Sequence, residues 1–438
     1  MWLGGIGNSM NNDDNYRTTA LIQASLRKRY ARERRFRLYG MLSVFAGFVF
    51  LFLLLADIII KGAPAFTQYY IKVTVDFNQD SLELPQNFTS EDLARADFGA
   101  VVKRSLREMF PGVSSRAEKR RLYRLISIGA DYSLRDMVIA DPALVGKKRD
   151  IWLLAHSEAS SYLKGQVTAA TGEAERKVKD VQMKWLNTLR EEGRTELRFN
   201  TTFFLAGDSR EPELAGIKAA LVGSLYTLLV TFCLAFPIGV MAAIYLEEFA
   251  PRNRLTDLIE ININNLAAVP SIVFGLLGLA VFINFFELPR SAPLVGGIVL
   301  ALMTLPTIII TSRAAIQAVP PSIHEAALGV GASKLQTILH HVLPVAMPGI
   351  LTGSIIGMAQ ALGETAPLLM IGMVAFIMEV PAGVTDPATV LPVQIFLWAD
   401  SPERGFTEKT SAAILVLMAF LIMMNAAAVY LRKRFERK

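Results

Sequence analysis

The sequence contains very little cysteine. Cys233 is the single cysteine in 438 residues, and it lies within an apolar run. One thiol excludes a disulfide framework and any metal centre built from cysteine side chains. A lone cysteine among apolar neighbours is typical of a small side chain packed in a core, so we expect Cys233 to be buried.

Motifs for chemistry are scarce as well. The long polar segment 61–216 has no cluster spaced for metal binding, no signature of a catalytic triad and no glycine-rich phosphate loop. Its single histidine, His156, is expected to be solvated or packed. We therefore expect a chain that binds no metal or cofactor itself and catalyses no covalent reaction.

The composition places the chain in a membrane. Hydrophobic residues make up 52% of the sequence, too many for an ordinary soluble domain, whereas the 19% that are charged require a sizeable water-facing part. Six apolar stretches are long enough to span a bilayer. They cover residues 38–60, 217–245, 261–286, 295–319, 350–378 and 412–431.

Basic residues concentrate beside the first and the last apolar stretch, within a net charge of +6. Such flanking clusters mark the cytoplasmic side of a membrane protein, so they indicate orientation and not a nucleic-acid partner. An even number of spans then puts both termini in the cytoplasm. The clusters are Arg27, Lys28, Arg29, Arg32, Arg34, Arg35 and Arg37, and Arg432, Lys433, Arg434, Arg437 and Lys438.

Alternation of sides divides the chain into five parts. These are a basic cytoplasmic segment (1–37), a first transmembrane helix (38–60), an external, periplasmic domain (61–215), a membrane core with five more helices (216–431) and a basic cytoplasmic tail (432–438). Residues 320–344 of the core form a cytoplasmic loop by the same alternation.

The external domain is predicted to be mainly helical, with a few strands. Residues 70–77 and 197–203 alternate apolar and polar side chains, as half-buried strands do. We expect these two strands to pair and close the domain next to the membrane. Helical patterns cover residues 91–110, 116–128 and 150–189.

The cytoplasmic loop carries signals for two helices. Ser322 followed by Glu325 predicts a capping box just after two prolines, and Gly331 is suited to end the helix that follows. Ser333 followed by Gln336 predicts a second capping box and a second helix.

The second loop helix should be amphipathic. Its apolar face is Leu335, Ile338, Leu339 and Val342. Pro344 ends this helix or starts the next span. Small residues group in the first half of the loop, where they let another surface approach the backbone: Ala326, Ala327, Gly329 and Gly331. The pattern alone also fits a connector lying on the membrane surface, whereas a DNA-binding helix pair is disfavoured because only Lys334 could bind phosphates.

The loop resembles the signature loop of ABC importer permeases in residue type and spacing. The matching residues are Glu325, Ala326, Ala327, Gly331, Leu343 and Pro344, with His341 in place of a usual apolar residue. The resemblance implies an all-α polytopic membrane protein of about six transmembrane helices in the type I importer permease fold, with the α+β external domain inserted between helices 1 and 2. It also implies docking into a groove on a cytoplasmic ATPase. Since the chain lacks a phosphate-loop motif, ATP and Mg²⁺ would bind that separate subunit.

Three further stretches narrow the resemblance. Residues 268–278 (AVPSIVFGLLG), 363–369 (GETAPLL) and 391–396 (LPVQIF) resemble the A-type permease subunit of the phosphate-specific ABC importer. Such a subunit is expected to form half of the translocation pathway. Its partners would be a homologous second permease, two copies of the ATPase and a periplasmic phosphate-binding protein, in a bacterial inner membrane. The alternatives are an importer of another oxyanion, molybdate or sulfate, and a membrane sensor with an external domain.

Four polar residues are candidates for the translocation path or its gate. Glu364 lies in an apolar span, where a carboxylate marks a pathway or a buried pair. We expect it to partner an arginine, supplied by the second permease, that contacts the anion or gates its path. Gln360, one turn earlier, and the adjoining Thr365 share this region. Arg313 is either an interfacial anchor or a substrate contact.

Prolines occur inside the predicted spans at positions 237, 270, 306 and 367. Each either breaks its helix and frees backbone groups to line a cavity, or produces an ordinary kink.

Overall fold

The computed structural model describes residues 7–167, 173 and 176–436. Residues 1–6, the tail residues Arg437 and Lys438, and part of the predicted helix 150–189 lie outside the described residues. The chain forms two units, one up to Ile60 and one from Lys61 onward. The first unit is helical: α1 (Gly7–Gly62) contains the first predicted span, and the segment Arg29–Phe66 is long and apolar enough to cross a membrane.

The inserted domain (residues 61–215) is built on a three-stranded antiparallel sheet. Its strands are β1 (Thr67–Asp76), β2 (Lys148–Leu154) and β3 (Thr195–Phe199), in the order β2-β1-β3. Tyr69 of β1 pairs with Leu197 of β3, which confirms the predicted pairing. The prediction that residues 150–154 begin a helix is wrong: this segment is β2, with Ile71 paired to Leu153.

Helices cover the sheet and differ in their bounds from the prediction. They are α2 (Ser90–Arg95), α3 (Phe98–Met109), α4 (Arg116–Tyr123), α5 (Gly129–Ala140), α6 (Ser157–Leu163), α7 (Asp180–Glu191) and α8 (Thr201–Leu205), with 3₁₀ turns at Ala63–Phe66 and Pro142–Leu144. The predicted single helix 91–110 is wrong because Asp97 caps a new helix, accepting a hydrogen bond from the Ala100 N–H at 2.9 Å. The predicted strand 197–203 likewise stops at Phe199, because Asn200 caps α8 by accepting a hydrogen bond from the Phe203 N–H.

The core of the inserted domain lies between the sheet and these helices. Ile71, Val73 and Val75 point alternately from β1 into it and are fully buried. Leu106 of α3 and Leu134 of α5 meet them there without solvent exposure. Each such side chain contributes roughly 1.5–3 kcal/mol through burial, so the domain has a hydrophobic core of its own.

Long apolar helices form the membrane core. They are α9 (Lys218–Ile244), α12 (Pro293–Gln317), α15 (Leu343–Gly363) and α18 (Arg404–Glu436), together with the bent pair of α10 (Arg254–Ala267) and α11 (Ser271–Leu277). π-Helical turns extend α9 (Tyr245–Phe249) and α11 (Gly278–Phe285). In the described part of the chain, α1 included, five helices are long and apolar enough to span a membrane, or six if the bent pair is one span. Short helices complete the core: α13 (Pro321–Gly329), α14 (Lys334–Thr337), α16 (Ala366–Met370) and α17 (Leu391–Ala399).

Two predicted spans are broken at their prolines, which confirms the first of the two alternatives for Pro270 and Pro367. Residues 261–286 contain a bend of 102° at Pro270, where α10 gives way to α11. The predicted span 350–378 ends at Gly363, and α16 restarts after a break with Pro367 in its first turn. Pro237 and Pro306 instead lie inside continuous helices.

Small residues let the membrane helices approach closely. A Cβ atom at Gly239 of α9 would lie 2.7 Å from the Ile308 side chain of α12, and one at Gly349 of α15 would lie 2.7 Å from Ala315. Such contacts are typical of membrane helices, whose association depends on close packing. Cys233 is on the other face of α9 and is exposed, so the prediction of a buried thiol is wrong.

Candidate coupling site and translocation path

The loop 320–344, which we call the coupling loop, begins with a helix set by proline. α13 starts at Pro321, whose fixed φ suits the first helical turn, and no side chain caps it. Ser322 therefore lies inside the helix, and the predicted first capping box is wrong. Gly331 ends the helix as predicted: its φ is +89°, and its N–H donates to the Leu328 carbonyl at 3.0 Å.

The second capping box is confirmed. The Ser333 N–H donates to Gln336 Oε1 at 2.9 Å, and the Gln336 N–H donates to Ser333 Oγ at 3.3 Å. The helix that starts there does not stop at Pro344. It passes through α14 and a π-helical turn (Ile338–Val342) directly into α15, so the coupling loop is continuous with a spanning helix.

The predicted apolar face of this helix divides between two environments. Ile338 and Val342 are buried, whereas Leu335 and Leu339 are 55% and 45% exposed. The π-helical turn is wider than an α-helical turn, and it changes which residues lie on one side. The four predicted residues therefore do not share one environment, and only Ile338 and Val342 pack into the chain.

The exposed side of the coupling loop combines small residues with large apolar ones. Glu325, Ala326, Gly331 and Pro344 of the signature residues are exposed, Leu343 is half-buried, and Ala327 is buried. Cβ atoms at Gly329 and Gly331 would meet nothing within 4 Å. Large apolar side chains surround this open backbone, and Val330 is 86% exposed. A surface of this kind fits a protein partner.

Arg313 is held by two carboxylates. Its Nη2 lies 2.8 Å from Glu260 Oε1 of α10 and 3.4 Å from Glu247 Oε2, in the π-helical turn after α9. Gln317 Nε2 also donates to Glu247, at 2.8 Å. In this arrangement the guanidinium joins the ends of α9 and α12 to the middle of α10, and its charge is paired within the chain.

Two neighbouring contacts connect the coupling loop to the π-helical turn Tyr245–Phe249. His324 Nε2 of α13 lies 3.0 Å from Glu248 Oε1. A carboxylate can only accept, so Nε2 carries the hydrogen. Lys334 Nζ of α14 lies 5.1 Å from the centre of the Phe249 ring, within the range of a cation–π contact.

Glu364 was predicted to lie within a span, but it lies at a helix break. α15 ends at Gly363, and Glu364 has extended backbone (φ −76°, ψ 127°). Glu364 and Thr365 are half-buried and Gln360 is exposed. No side chain or backbone group in the described ranges forms a hydrogen bond or ion pair with the Glu364 carboxylate. A carboxylate of this kind is available to a group from outside the chain.

The inserted domain brings together three residues that are distant in sequence. Ligand atoms of His156, Glu211 and Glu213 lie within 4.8 Å of one another. His156 Nδ1 accepts a hydrogen bond from the Glu158 N–H at 3.2 Å, which leaves the proton of the neutral ring on Nε2. This tautomer offers no free nitrogen lone pair to a metal ion.

Comparison with known proteins gives two family matches. Residues 235–437 match the binding-protein-dependent transport system inner membrane component, and residues 23–173 match a domain of unknown function, DUF3333. The probable ABC transporter permease protein YqgI of Bacillus subtilis is 30% identical over 238 residues, 51% of this chain and 80% of that protein. This chain belongs to the family of binding-protein-dependent transport system inner membrane components.

Other relatives of this permease carry a more specific name. The phosphate transport system permease protein PstA 1 of Mycobacterium tuberculosis is 31% identical over 53% of this chain and 75% of that protein. PstA of Yersinia pestis is 31% identical over a match that covers 50% of this chain and 74% of that protein. Among solved structures, the inward-facing MetNI methionine ABC transporter has a matching chain. The match covers 50% of this chain and 96% of that chain, at 16% sequence identity and a TM-score of 0.41.

Sequence reasoning missed the acidic residues that hold Arg313 and His324. Glu247 and Glu248 lie two and three residues after the second predicted span, and Glu260 immediately precedes the third. An isolated arginine near the end of one span and adjacent carboxylates at the end of another are a usable signal, because charges near a membrane seek partners.

Proposed function

We propose that this permease is the membrane-spanning subunit of an ATP-driven importer of inorganic phosphate. The observation that carries the proposal is its similarity to PstA proteins, extending over about three quarters of their length. The geometry supports a transport role, because an open apolar coupling loop continues directly into a spanning helix. The chain itself performs no covalent chemistry, and it alternates access to a path through the membrane.

The partners follow from the same proposal. A cytoplasmic ATPase subunit, present in two copies, holds ATP and Mg²⁺ and docks on the coupling loop around Val330 and Gly331. A homologous second permease completes the pathway, and a periplasmic phosphate-binding protein delivers the anion. Both termini of the chain are then cytoplasmic, and the inserted domain is periplasmic.

The helix break at Glu364 is our candidate for the translocation path. A carboxylate repels phosphate, so Glu364 serves by holding a cation contributed by the second permease. Gln360 and Thr365 flank this carboxylate on the two sides of the break. Arg313 is already paired with Glu247 and Glu260, which favours a role at the gate over direct contact with the anion.

Transport by the reconstituted complex tests the proposal. The chain, copurified with its native partners and placed in proteoliposomes, should import radiolabelled phosphate only with internal ATP and the external binding protein. Excess unlabelled phosphate should compete, whereas molybdate and sulfate should not. Uptake of radiolabelled molybdate or sulfate with no phosphate uptake would reassign the substrate, and copurification without any ATPase subunit would overturn the importer itself.

A further inference from the structure

The five-residue π-helical turn Tyr245–Phe249 contacts several other elements. Leu246 points into the apolar cluster of the membrane core, together with Ile308 of α12 and Val342 of the coupling loop. The next three side chains contact three different elements. π-Helical turns are rare, and they concentrate at functional positions.

Glu247 connects this turn to the spanning helices. Its carboxylate accepts hydrogen bonds from Arg313 and Gln317, and Arg313 continues to Glu260 of α10. The Glu247 and Arg313 side chains are 23% and 20% exposed, so water screens their attraction less than it would at an open surface. The ends of α9 and α12 are thereby fixed to the middle of α10.

Glu248 connects the same turn to the coupling loop. Its side chain is 12% exposed and accepts the His324 Nε2–H. α13 otherwise joins α12 through a short non-helical segment around Pro320, which can act as a pivot. The Glu248–His324 hydrogen bond is directional, and it fixes the angle of α13 in a way that apolar contacts do not.

We propose that Glu248 and His324 are positioning residues for energy coupling, and that they make α13 move with the ends of α9 and α12. This inference rests on the proposed ATP-driven import. A displacement of the coupling loop by the ATPase reaches α15 directly, because the loop is continuous with that helix. It reaches the other spans through Glu248, and Glu247 with Arg313 distributes it over α9, α10 and α12. Without the Glu248 acceptor, α13 still binds the ATPase but pivots at Pro320, so ATP hydrolysis proceeds with less transport.

The test measures ATP hydrolysed per phosphate imported in proteoliposomes containing the complete importer. Glu248→Leu and His324→Leu should each raise this ratio about fivefold or more, the lower range of site-to-site coupling. ATPase copurification should stay at the wild-type level. Glu248→Gln keeps an acceptor for His324, so it should restore most of the coupling. Asp257→Asn removes an exposed carboxylate of α10 that has no ion-pair partner among the described residues, and it should leave the ratio unchanged.

The outcomes separate the two proposals. If wild-type protein shows no ATP-dependent phosphate import, the proposed function fails. If wild-type protein imports phosphate but Glu248→Leu keeps the wild-type ratio, or loses ATPase binding and transport in equal proportion, the positioning role is overturned. Equal uncoupling by Glu248→Gln and Glu248→Leu would also exclude the hydrogen bond as its basis.

Discussion

Gly275 of α11 lies directly against Pro367 of α16: a Cβ atom at Gly275 would be 2.7 Å from the Pro367 Cα atom. The two residues belong to separate stretches of the sequence, 268–278 and 363–369, which the fold brings into contact. Glycine is needed here because backbone, which cannot move aside as a side chain can, occupies the space. The contact fixes the helix break that contains Glu364.

Gly275→Val should therefore displace the break. The valine side chain must push α16 away from α11, so we expect phosphate uptake to fall by about tenfold or more, in line with the effect of small misplacements at functional sites. Uptake by proteoliposomes is the measurement. Gly47→Ala in α1, where a Cβ atom meets nothing within 4 Å, is the control. Wild-type uptake by Gly275→Val would show that the contact is not needed.

A charge on the coupling loop should weaken ATPase binding. Val330 is 86% exposed beside the open backbone of Gly329 and Gly331, and Val330→Glu places a carboxylate on the proposed docking surface. Loss of a central interface contact costs about 1–4 kcal/mol, or roughly tenfold or more in affinity. Pull-down of the ATPase by the membrane-extracted permease measures this. The thermal stability of the permease itself should not change, and unchanged binding would place the docking surface elsewhere.

Local signals in the sequence predicted local features well. The Ser333–Gln336 capping box and the glycine stop at Gly331 depend on residues within one helical turn of each other, and both are present. The Ser322 box failed because the helix already begins at Pro321, two residues earlier than a cap at Ser322 requires. The alternation in β1 was long enough to recognise a strand, whereas β2 has three exposed residues before its two buried ones.

Features set by tertiary packing could not be predicted in this way. The π-helical turns at Tyr245–Phe249 and Ile338–Val342 carry no sequence signal of their own, and the second of them shifted the buried face of the coupling loop. The partners of Arg313 are 66 and 53 residues away in sequence. Periodicity assigns residues to helices, but it does not show which helix ends meet.

Neutralising Glu364 should impair transport without destabilising the chain. The carboxylate has no hydrogen-bond or ion-pair partner within the residues that the structure covers, so Glu364→Gln removes no contact of the isolated permease. We expect phosphate uptake and transport-coupled ATPase activity to fall by about tenfold, because a cation from another subunit loses its counter-charge. Uptake and ATPase assays, with a thermal unfolding curve as control, measure this. Unchanged values of both activities would remove Glu364 from the pathway.

Asp131 in the inserted domain should make stability depend on pH. Burial raises the pKa of its carboxyl group, against the opposing effect of Lys103. The folded state therefore holds this proton more tightly than the unfolded state. The protonated carboxyl group thus adds to the free energy of unfolding at low pH, and this contribution is lost as pH rises through the pKa of the folded state. Asp131→Asn should raise the thermal midpoint at pH 7 and flatten its acid dependence. Asp136→Asn changes a carboxylate whose side chain is 72% exposed, so it should alter neither the thermal midpoint nor its acid dependence. Equal effects of the two substitutions would show that the burial of Asp131 is not the cause.

The inserted domain is tied to the last spanning helix by a nearly buried ion pair. Lys164 Nζ lies 2.9 Å from Glu408 Oε2 of α18 and also donates to the Pro64 carbonyl at 2.7 Å. The two side chains are only 11% and 13% exposed. Lys164→Met leaves the Glu408 carboxylate in place without this partner, so we expect the inserted domain to lose about 3–5 kcal/mol of stability.

Protease susceptibility and thermal unfolding of the detergent-solubilised permease measure that loss. The double variant Lys164→Met with Glu408→Leu should recover most of it, because two apolar side chains need no counter-charge. Lys148→Met breaks the pair with Asp76, where the lysine side chain is 63% exposed, and it should cost at most about 1 kcal/mol. If the double variant were as unstable as Lys164→Met, the loss would come from packing and from the Pro64 hydrogen bond, and the ion pair itself would contribute little to holding the domain on α18.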